Sequence, residues 1–425
     1  MKAMFHTLAL AVFLGAILAV PAAVRADIEV RVSVKFIHDN NPANTRPGGS
    51  IGTAMGFGTE VTSGNGVLAA TGRGYSLKVV EYLDIQPPAP VAASASVTGA
   101  TTDKNATVTC GNTAGLQNFM LVQGTGIPAN TVILSIDSNK SFTMSANATA
   151  TNVSVAITAS FPGDHWFNLP ARAGGVKQYV EATALASQAV WAWNSSAINI
   201  YVNNTSSGQC SFVGGGSTIT LGGKVVEGTV LHETGHFFNL SHTHALDYSS
   251  NTNPSSGIFT LSDLMDGDGL SETANDNPNI GSQDQLSQAL FGIPYNQPAT
   301  PPNAPFANAV QRAVVDSSFQ NVMSYHTEAV LLPVQMDIWT TTANDARNGF
   351  CTGRTWFVAN GGSDSASGKT ANLPLRTLSS AVAHIGTVND ILLLRNGSYT
   401  APSGGTISTP CTLRATRGDV IIHFP

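Results

Sequence analysis

Leu231-His232-Glu233-Thr234-Gly235-His236-Phe237-Phe238-Asn239-Leu240-Ser241-His242 is the stretch whose reading decides the fold. His232 and His236 are four residues apart, so on a helix they project from one face, one turn from each other. That is the spacing at which two imidazoles share one Zn²⁺. Glu233 is placed to reach a water at such a metal rather than the metal itself. His242 lies six residues beyond His236, and on a continuing helix it would be turned away by roughly 240°. It joins the other two only if the helix stops near residue 239 and the chain doubles back. After glycine, Asn is the residue best suited to that stop, because it tolerates the left-handed conformation of a helix C-cap.

This pattern resembles the metzincin zinc motif HExxHxxGxxH, with Asn239 where glycine is usual. Asn321-Val322-Met323-Ser324-Tyr325-His326 resembles the methionine turn of the same proteases. Between them, Gly267-Asp268-Gly269-Leu270-Ser271-Glu272-Thr273 is similar to the G-D-G-x-x-D-T segment of the pappalysin-like branch, with Glu272 in place of Asp. The three segments occur in the family's order and span roughly residues 190–350.

The resemblance implies a zinc endopeptidase on an α+β fold, a twisted mixed sheet with an active-site helix. It implies zinc on His232, His236 and His242, and Glu233 as general base. Met323 would form an apolar floor beneath the histidines. Tyr325 matches a tyrosine that in some metzincins touches zinc or stabilises the oxyanion; its other reading is packing. Asp268 and Thr273 match positions associated with structural Ca²⁺ in pappalysin-like relatives, and oxygen ligands on a loop suit that ion. A polar turn is the other reading. His244 is an alternative ligand by residue type, but it fits no family spacing and is expected to be exposed.

Composition sets the surroundings. The chain has 425 residues, enough for two or three domains, with 11 % charged residues and 41 glycines, a profile of exported, β- and loop-rich proteins. A net charge of −6, with no run of Lys or Arg, argues against nucleic acid. Residues 1–26 read as a signal peptide: Lys2, an apolar core over Leu8–Val20 ended by Pro21, and a small-x-small site at Val24-Arg25-Ala26. No later stretch is apolar for long enough to span a membrane, so a secreted or extracellular protein is expected. Cys110, Cys210, Cys351 and Cys411 allow three disulfide pairings, with Cys351–Cys411 preferred by proximity in sequence.

The domain reading follows composition. Residues 27–86 form the first part of the protease domain, with alternation over Ile28–Ile37, weak helical character over Glu60–Arg73 and a strand over Tyr75–Ile85. His38 ends the first strand, in solvent or in a local hydrogen bond. Residues 87–160, poor in charge and rich in Ala, Thr, Ser and Asn, read as an inserted all-β domain, with strands at Ala106–Thr109, Met120–Val122, Val132–Ile136, Ser141–Met144 and Val153–Ile157. They resemble small modules of bacterial surface and phage fibre proteins and are taken as an independent spacer. Residues 161–350 hold the catalytic domain. Its amphipathic helix over Gly175–Trp193 buries Val176, Tyr179, Val180, Thr183, Ala184, Ser187, Val190 and Trp191. Ile198–Val202, Cys210–Val213 and Ser217–Leu221 read as strands, Val225–Leu240 as the active-site helix, 243–320 as loop, and Pro333–Asn348 as a helix. Residues 351–425 resemble the truncated start of a right-handed parallel β-helix.

By the family resemblance, residues 210–221 would bind a protein or peptide substrate as an added strand. The alternative is a surface or adhesion protein whose β modules contact glycan or a cell surface. A polysaccharide-active enzyme is a third reading, disfavoured because residues 355–425 carry no acidic cluster.

Overall fold

The structure is a computed structural model. It describes residues 28–40, 45–91, 94–171, 175–206, 208–210, 212, 214–245, 254, 256–301, 304–326, 329–402, 407–416 and 419–424. The leader reading, 1–26, lies outside the described residues. The fold is mixed α+β with several sheets. Among the described residues no helix is long and apolar enough to cross a membrane.

The chain opens with β1 (Ile28–Ile37), α1 (Ala54–Ala70) and β2 (Tyr75–Ile85). The two strands end where the alternation predicted. Val30, Val32, Val34 and Phe36 are fully buried on one face of β1, but Ser33 and Lys35 are fully buried on the other. A central parallel strand is covered on both sides, so one-sided alternation understates its burial. The helix α1 is longer and earlier than the weak signal over Glu60–Arg73. Its sequence is glycine-rich and intrinsically poor at forming a helix. Thr53 caps its start by accepting the Gly56 N–H at 3.1 Å, and Phe57, Val61 and Leu68 bury its inner face.

The inserted segment is a closed barrel of β3 (Ser94–Thr101), β4 (Thr107–Cys110), β5 (Leu121–Gln123), β6 (Thr131–Ser138), β7 (Ser141–Met144) and β8 (Asn152–Ser160), in the order β3-β4-β7-β6-β5-β8. Closure removes open edges. It depends on β3, which the sequence reading left out and which pairs along most of its length with β8. Val108, Met120, Phe142, Met144 and Ile157 fill the interior. The barrel is not a detached spacer. Val132, Phe119, Leu121 and Leu134 join a second cluster with Trp166, Val180 and Trp191, and Phe119 stacks on Tyr179 at 4.2 Å.

Next come α2 (His165–Asn168) and α3 (Val176–Ala186). The latter stops well short of Trp193. Ser187 leaves helical geometry with φ −137° and is exposed, Thr183 is half-buried, and Val190 is 46 % exposed. Trp191 does turn inwards, from the irregular segment that follows, and its carbonyl accepts from the Tyr201 hydroxyl. Then β9 (Ile198–Asn203), β10 (Gly208–Gln209) and β11 (Thr218–Gly222) complete a five-stranded mixed sheet, β10-β11-β9-β1-β2, antiparallel only at the β10 edge. The edge strand is therefore Gly208–Gln209 rather than the expected 210–213. The strand at 218–222 is interior, leaving it no edge for a substrate.

Helix α4 (Thr229–Phe237) carries the histidines. The 243–320 stretch is not simply loop: α5 (Gln283–Phe291) and α6 (Ala309–Phe319) pack together through Leu286, Ala289, Val315 and Phe319. Their caps were legible, Ser282 over Gln285 and an Asn308/Gln311 capping box, but polar flanks hid them. Helix α7 (Pro333–Asn344) starts at the expected proline and ends four residues early.

The C-terminal region holds β12 (Thr355–Val358), α8 (Leu378–Ala383), β13 (Ile391–Leu394), β14 (Gly397–Thr400), β15 (Thr412–Ala415) and β16 (Val420–His423). They form two parallel sheets, β12-β13-β15 and β14-β16. Asn344 Nδ2 donates to Thr355 O at 2.7 Å and Ile391 enters the main core, so the region is built onto the rest. Among the described residues no disulfide forms. The preferred Cys351–Cys411 bridge is absent because Cys351 lies in the main core and Cys411 packs in the C-terminal one.

Lys35 generates a test. Its ammonium is fully buried against Ser33 Oγ and Asn199 Oδ1, the latter at 2.6 Å, and burial pulls it down to about 7 against the opposing charge of Glu81. Above that pH the unfolded chain, with lysine near 10.5, binds a proton that the folded one does not. Stability should then rise with pH from about 7 towards the thiol range, by at most about 1.4 kcal/mol per unit. Urea midpoints should climb between these pH values in the wild type and climb less in Lys35→Met.

Candidate metal centre

The site begins with how α4 is held. Its start has no side-chain cap of its own, and Gly228 stands in the left-handed region at φ +91°. Glu60 of α1 supplies the cap from outside: its Oε2 accepts the Gly228 N–H at 2.7 Å. A carboxylate at a helix N-terminus also suits the helix dipole, although burial raises its pKa above the usual carboxylate value.

The end of α4 decides the third histidine. Asn239 has φ +72°, as the turn argument requires. The Leu240 N–H donates to Gly235 O at 3.0 Å and the Asn239 N–H to His236 O at 2.9 Å, which together make a Schellman C-cap. The helix ends at Phe237, earlier than Leu240, because this motif uses the last carbonyls. Arg347 reinforces the same end. Its Nε donates to Phe237 O at 3.2 Å, its Nη1 to Gly216 O at 2.7 Å, and its guanidinium lies 3.9 Å over the Phe237 ring.

The doubled-back chain brings three ring nitrogens together. His242 Nε2 lies 3.1 Å from His232 Nε2 and 3.0 Å from His236 Nε2. His232 Nδ1 sits 2.6 Å from Val322 O, and His236 Nδ1 sits 2.7 Å from Leu240 O. A carbonyl only accepts, so each Nδ1 carries the proton and each Nε2 turns a lone pair inwards. Facing lone pairs repel unless a cation lies between them. In a tetrahedral site with bonds of about 2.0–2.1 Å, ligand nitrogens stand roughly 3.3 Å apart, close to what is found. The three histidines form a buried group able to hold a metal ion.

Other elements close the floor and wall. Met323 is fully buried, and a Cβ on Gly235 would overlap its sulfur, so the helix accepts glycine here to seat on the turn. That turn is fixed by Asn321: its Oδ1 accepts the Met323 N–H at 2.9 Å and its Nδ2 donates to Gln335 Oε1 at 3.0 Å. Tyr325 is half-buried, its ring 4.9 Å from that of His242 and 5.8 Å from that of His232. Glu233 reaches across to the edge strand, where a Cβ on Gly208 would lie 2.7 Å from its Oε1. A cavity of about 540 Å³ is lined by the three histidines, Glu233, Tyr325, Gln209, Phe212 and Lys224, among others.

Two expectations change. His244 is buried, 1 % exposed, because the chain continues inwards after His242; its ring stacks on His242 at 5.0 Å and meets Tyr325 at 4.4 Å. His326, to which the sequence assigns no role, lines the cavity, and its Nε2 is 3.0 Å from Asp276 Oδ1. Burial alone would raise the Asp276 carboxyl, but the hydrogen bond and charge of His326 hold it below its usual value. An Asp–His pair separated by fifty residues leaves no local pattern to read. His38 is likewise bonded to a residue distant in sequence, Asp84 at 2.9 Å, rather than to a local partner.

Asp268 and Thr273 are not among the residues that line this cavity, although Gly267 beside Asp268 packs on the backbone of His242 and His244. Thr273 Oγ1 donates to Asp268 Oδ1 at 2.8 Å and approaches Leu270 O at 2.9 Å. Asp268 Oδ2 is sealed from solvent without a hydrogen-bond partner, and burial raises the carboxyl.

No protein-family model, curated protein or solved structure matches this chain.

The turn at Asn239 can be tested by metal binding. His236→Ala should abolish tight uptake of a divalent ion, measured by elemental analysis. Asn239→Gly should bind as the wild type does, whereas Asn239→Val should bind at least about tenfold more weakly, since a β-branched residue resists φ > 0 and lets His242 swing out. Undiminished affinity in Asn239→Val would show that the turn does not hold the third ligand.

Proposed function

We propose that this chain is an exported zinc-dependent endopeptidase of metzincin type, nearest in its motifs to the pappalysin-like branch. The observation that carries the proposal is the convergence of the His232, His236 and His242 Nε2 atoms in one cavity with Glu233. Three neutral imidazoles are the donor set of catalytic zinc sites, which keep a position open. When bound, zinc supplies a Lewis acid that polarises a carbonyl and lowers the pKa of water.

The chain's own groups do the rest. Glu233 takes the proton from the attacking water on its carboxylate and delivers it to the leaving nitrogen. The β10 edge at Gly208–Gln209, antiparallel to its neighbour, offers main-chain groups to a peptide laid along it as an extended strand. Tyr325 stands beside the histidines as a candidate oxyanion donor. In this reading the two parallel C-terminal sheets are the first coils of a β-helix, and the barrel is an insertion that braces α3.

Glu233→Gln should keep fold and zinc while lowering hydrolysis of an unfolded protein by about 10³-fold, because the amide cannot accept the proton. Zinc-loaded wild type that cleaves no unfolded substrate would overturn the proposal.

The same reading assigns Ca²⁺ to the oxygens of Asp268, Leu270 and Thr273, which fits the unpartnered Asp268 Oδ2. Added Ca²⁺ should raise the melting temperature of the wild type and leave Asp268→Asn unmoved. An equal rise in both would refer the effect to another site.

A further inference from the structure

We infer that His326 is a second catalytic group of this cavity, held by Asp276 so that its other ring nitrogen donates a hydrogen bond to the oxygen that gains charge as the peptide carbonyl is attacked. The inference rests on the protease reading.

His326 lines the same cavity as Glu233 and the three histidines. Three constraints fix its orientation. Its backbone N–H lies 3.2 Å from Ser324 Oγ, its ring stacks on Phe319 at 4.5 Å and 7°, and its Nε2 meets Asp276 Oδ1 at 3.0 Å. Asp276 is itself fully buried and hydrogen-bonded at both carboxylate oxygens. Its Oδ1 accepts the Asn277 N–H at 2.7 Å, its Oδ2 accepts from Thr243 Oγ1 at 3.1 Å, and its backbone is bridged to Met265.

A carboxylate with no exposure is costly unless a charge or hydrogen bonds meet it. Here the cost goes into orienting one imidazole of the cavity lining through its Nε2, and Nδ1 is the ring's remaining polar atom. With Asp276 ionised, the ring keeps a proton on Nε2, and in its charged form Nδ1–H is a donor. Other titratable groups nearby are His244, whose charge is felt by Asp276, Tyr325 next to it in the chain, and Glu233 and Lys224, which share the cavity. A donor preorganised in a water-poor site favours developing negative charge over the neutral ground state. Its removal should therefore lower kcat more than it raises KM.

The experiment compares wild type, His326→Gln and Asp276→Asn, each loaded with zinc, for peptide hydrolysis and for binding of a phosphinic peptide, whose tetrahedral anion imitates the charged oxygen. His326→Gln should keep its zinc and melting temperature, lose about 100-fold in kcat with KM changed by less than about threefold, and bind the phosphinic peptide more weakly in proportion. Asp276→Asn preserves shape but not charge, so it should share the kcat loss; a structural role alone would be met by Asn. His326→Gln with wild-type kcat and phosphinic affinity would overturn this inference and leave the protease reading standing, as would losses that follow lost zinc. Zinc-loaded wild type that neither cleaves peptide nor binds the phosphinic peptide would overturn both.

Discussion

The constraint on which the rest depends is that three imidazole lone pairs must meet at one point. Two come from adjacent turns of one helix, which any stable helix would provide. The third requires the chain to leave the helix after Phe238 and return within four residues. Asn239 in the left-handed region, with Leu240 and Asn239 N–H groups closing on Gly235 and His236 carbonyls, makes that return. The last carbonyls of the helix are thereby satisfied by the same residues that aim His242. The Leu240 carbonyl, released by the turn, then accepts the His236 Nδ1 proton and points its Nε2 inwards. One reversal of direction sets two of the three imidazoles.

The surrounding core keeps that geometry from relaxing. Met323 lies beneath Gly235, and Val322 O holds His232 through Nδ1, so the turn at Met323 acts on the helix by contact and by hydrogen bond. Glu60 holds the start of the helix and Arg347 its end, from elements distant in sequence. Each of these hydrogen bonds uses a buried polar group whose alternative, an unsatisfied donor or acceptor, is expensive. A metal ion taken up by such a frame would find its three imidazoles already ordered, which favours binding because less ordering remains to be done.

The outer modules are less separable than their composition suggests. The barrel has its own core, yet Phe119, Leu121, Val132 and Leu134 complete the cluster around Trp166 and Trp191. Its removal would expose aromatic surface on α3 and β9. The C-terminal sheets likewise contribute Ile391 to the main core. Low charge and abundant Gly, Ser and Thr mark both modules as different in composition. They do not mark them as independent, because docking here uses a few large side chains that composition averages away.

The sequence by itself determined what depends on local spacing: the shared face of His232 and His236, the need for a left-handed residue at 239, and the strands over Ile28–Ile37 and Tyr75–Ile85. These rest on helix and strand periodicity and on the φ preferences of single residues, which neighbours in the chain reveal. Asn308 and Gln311 also carried a readable helix start, hidden by polar surroundings. Only the tertiary structure decided the rest. It showed Gly208–Gln209 as one edge of the sheet, β3 closing the barrel, His244 turned inwards, Cys351 and Cys411 in different cores, and Asp276 set against His326. Each depends on which distant segments pack together. A helix as glycine-rich as Ala54–Ala70, or a carboxylate fifty residues from its imidazole, acquires its reason only from contacts that no window of sequence contains.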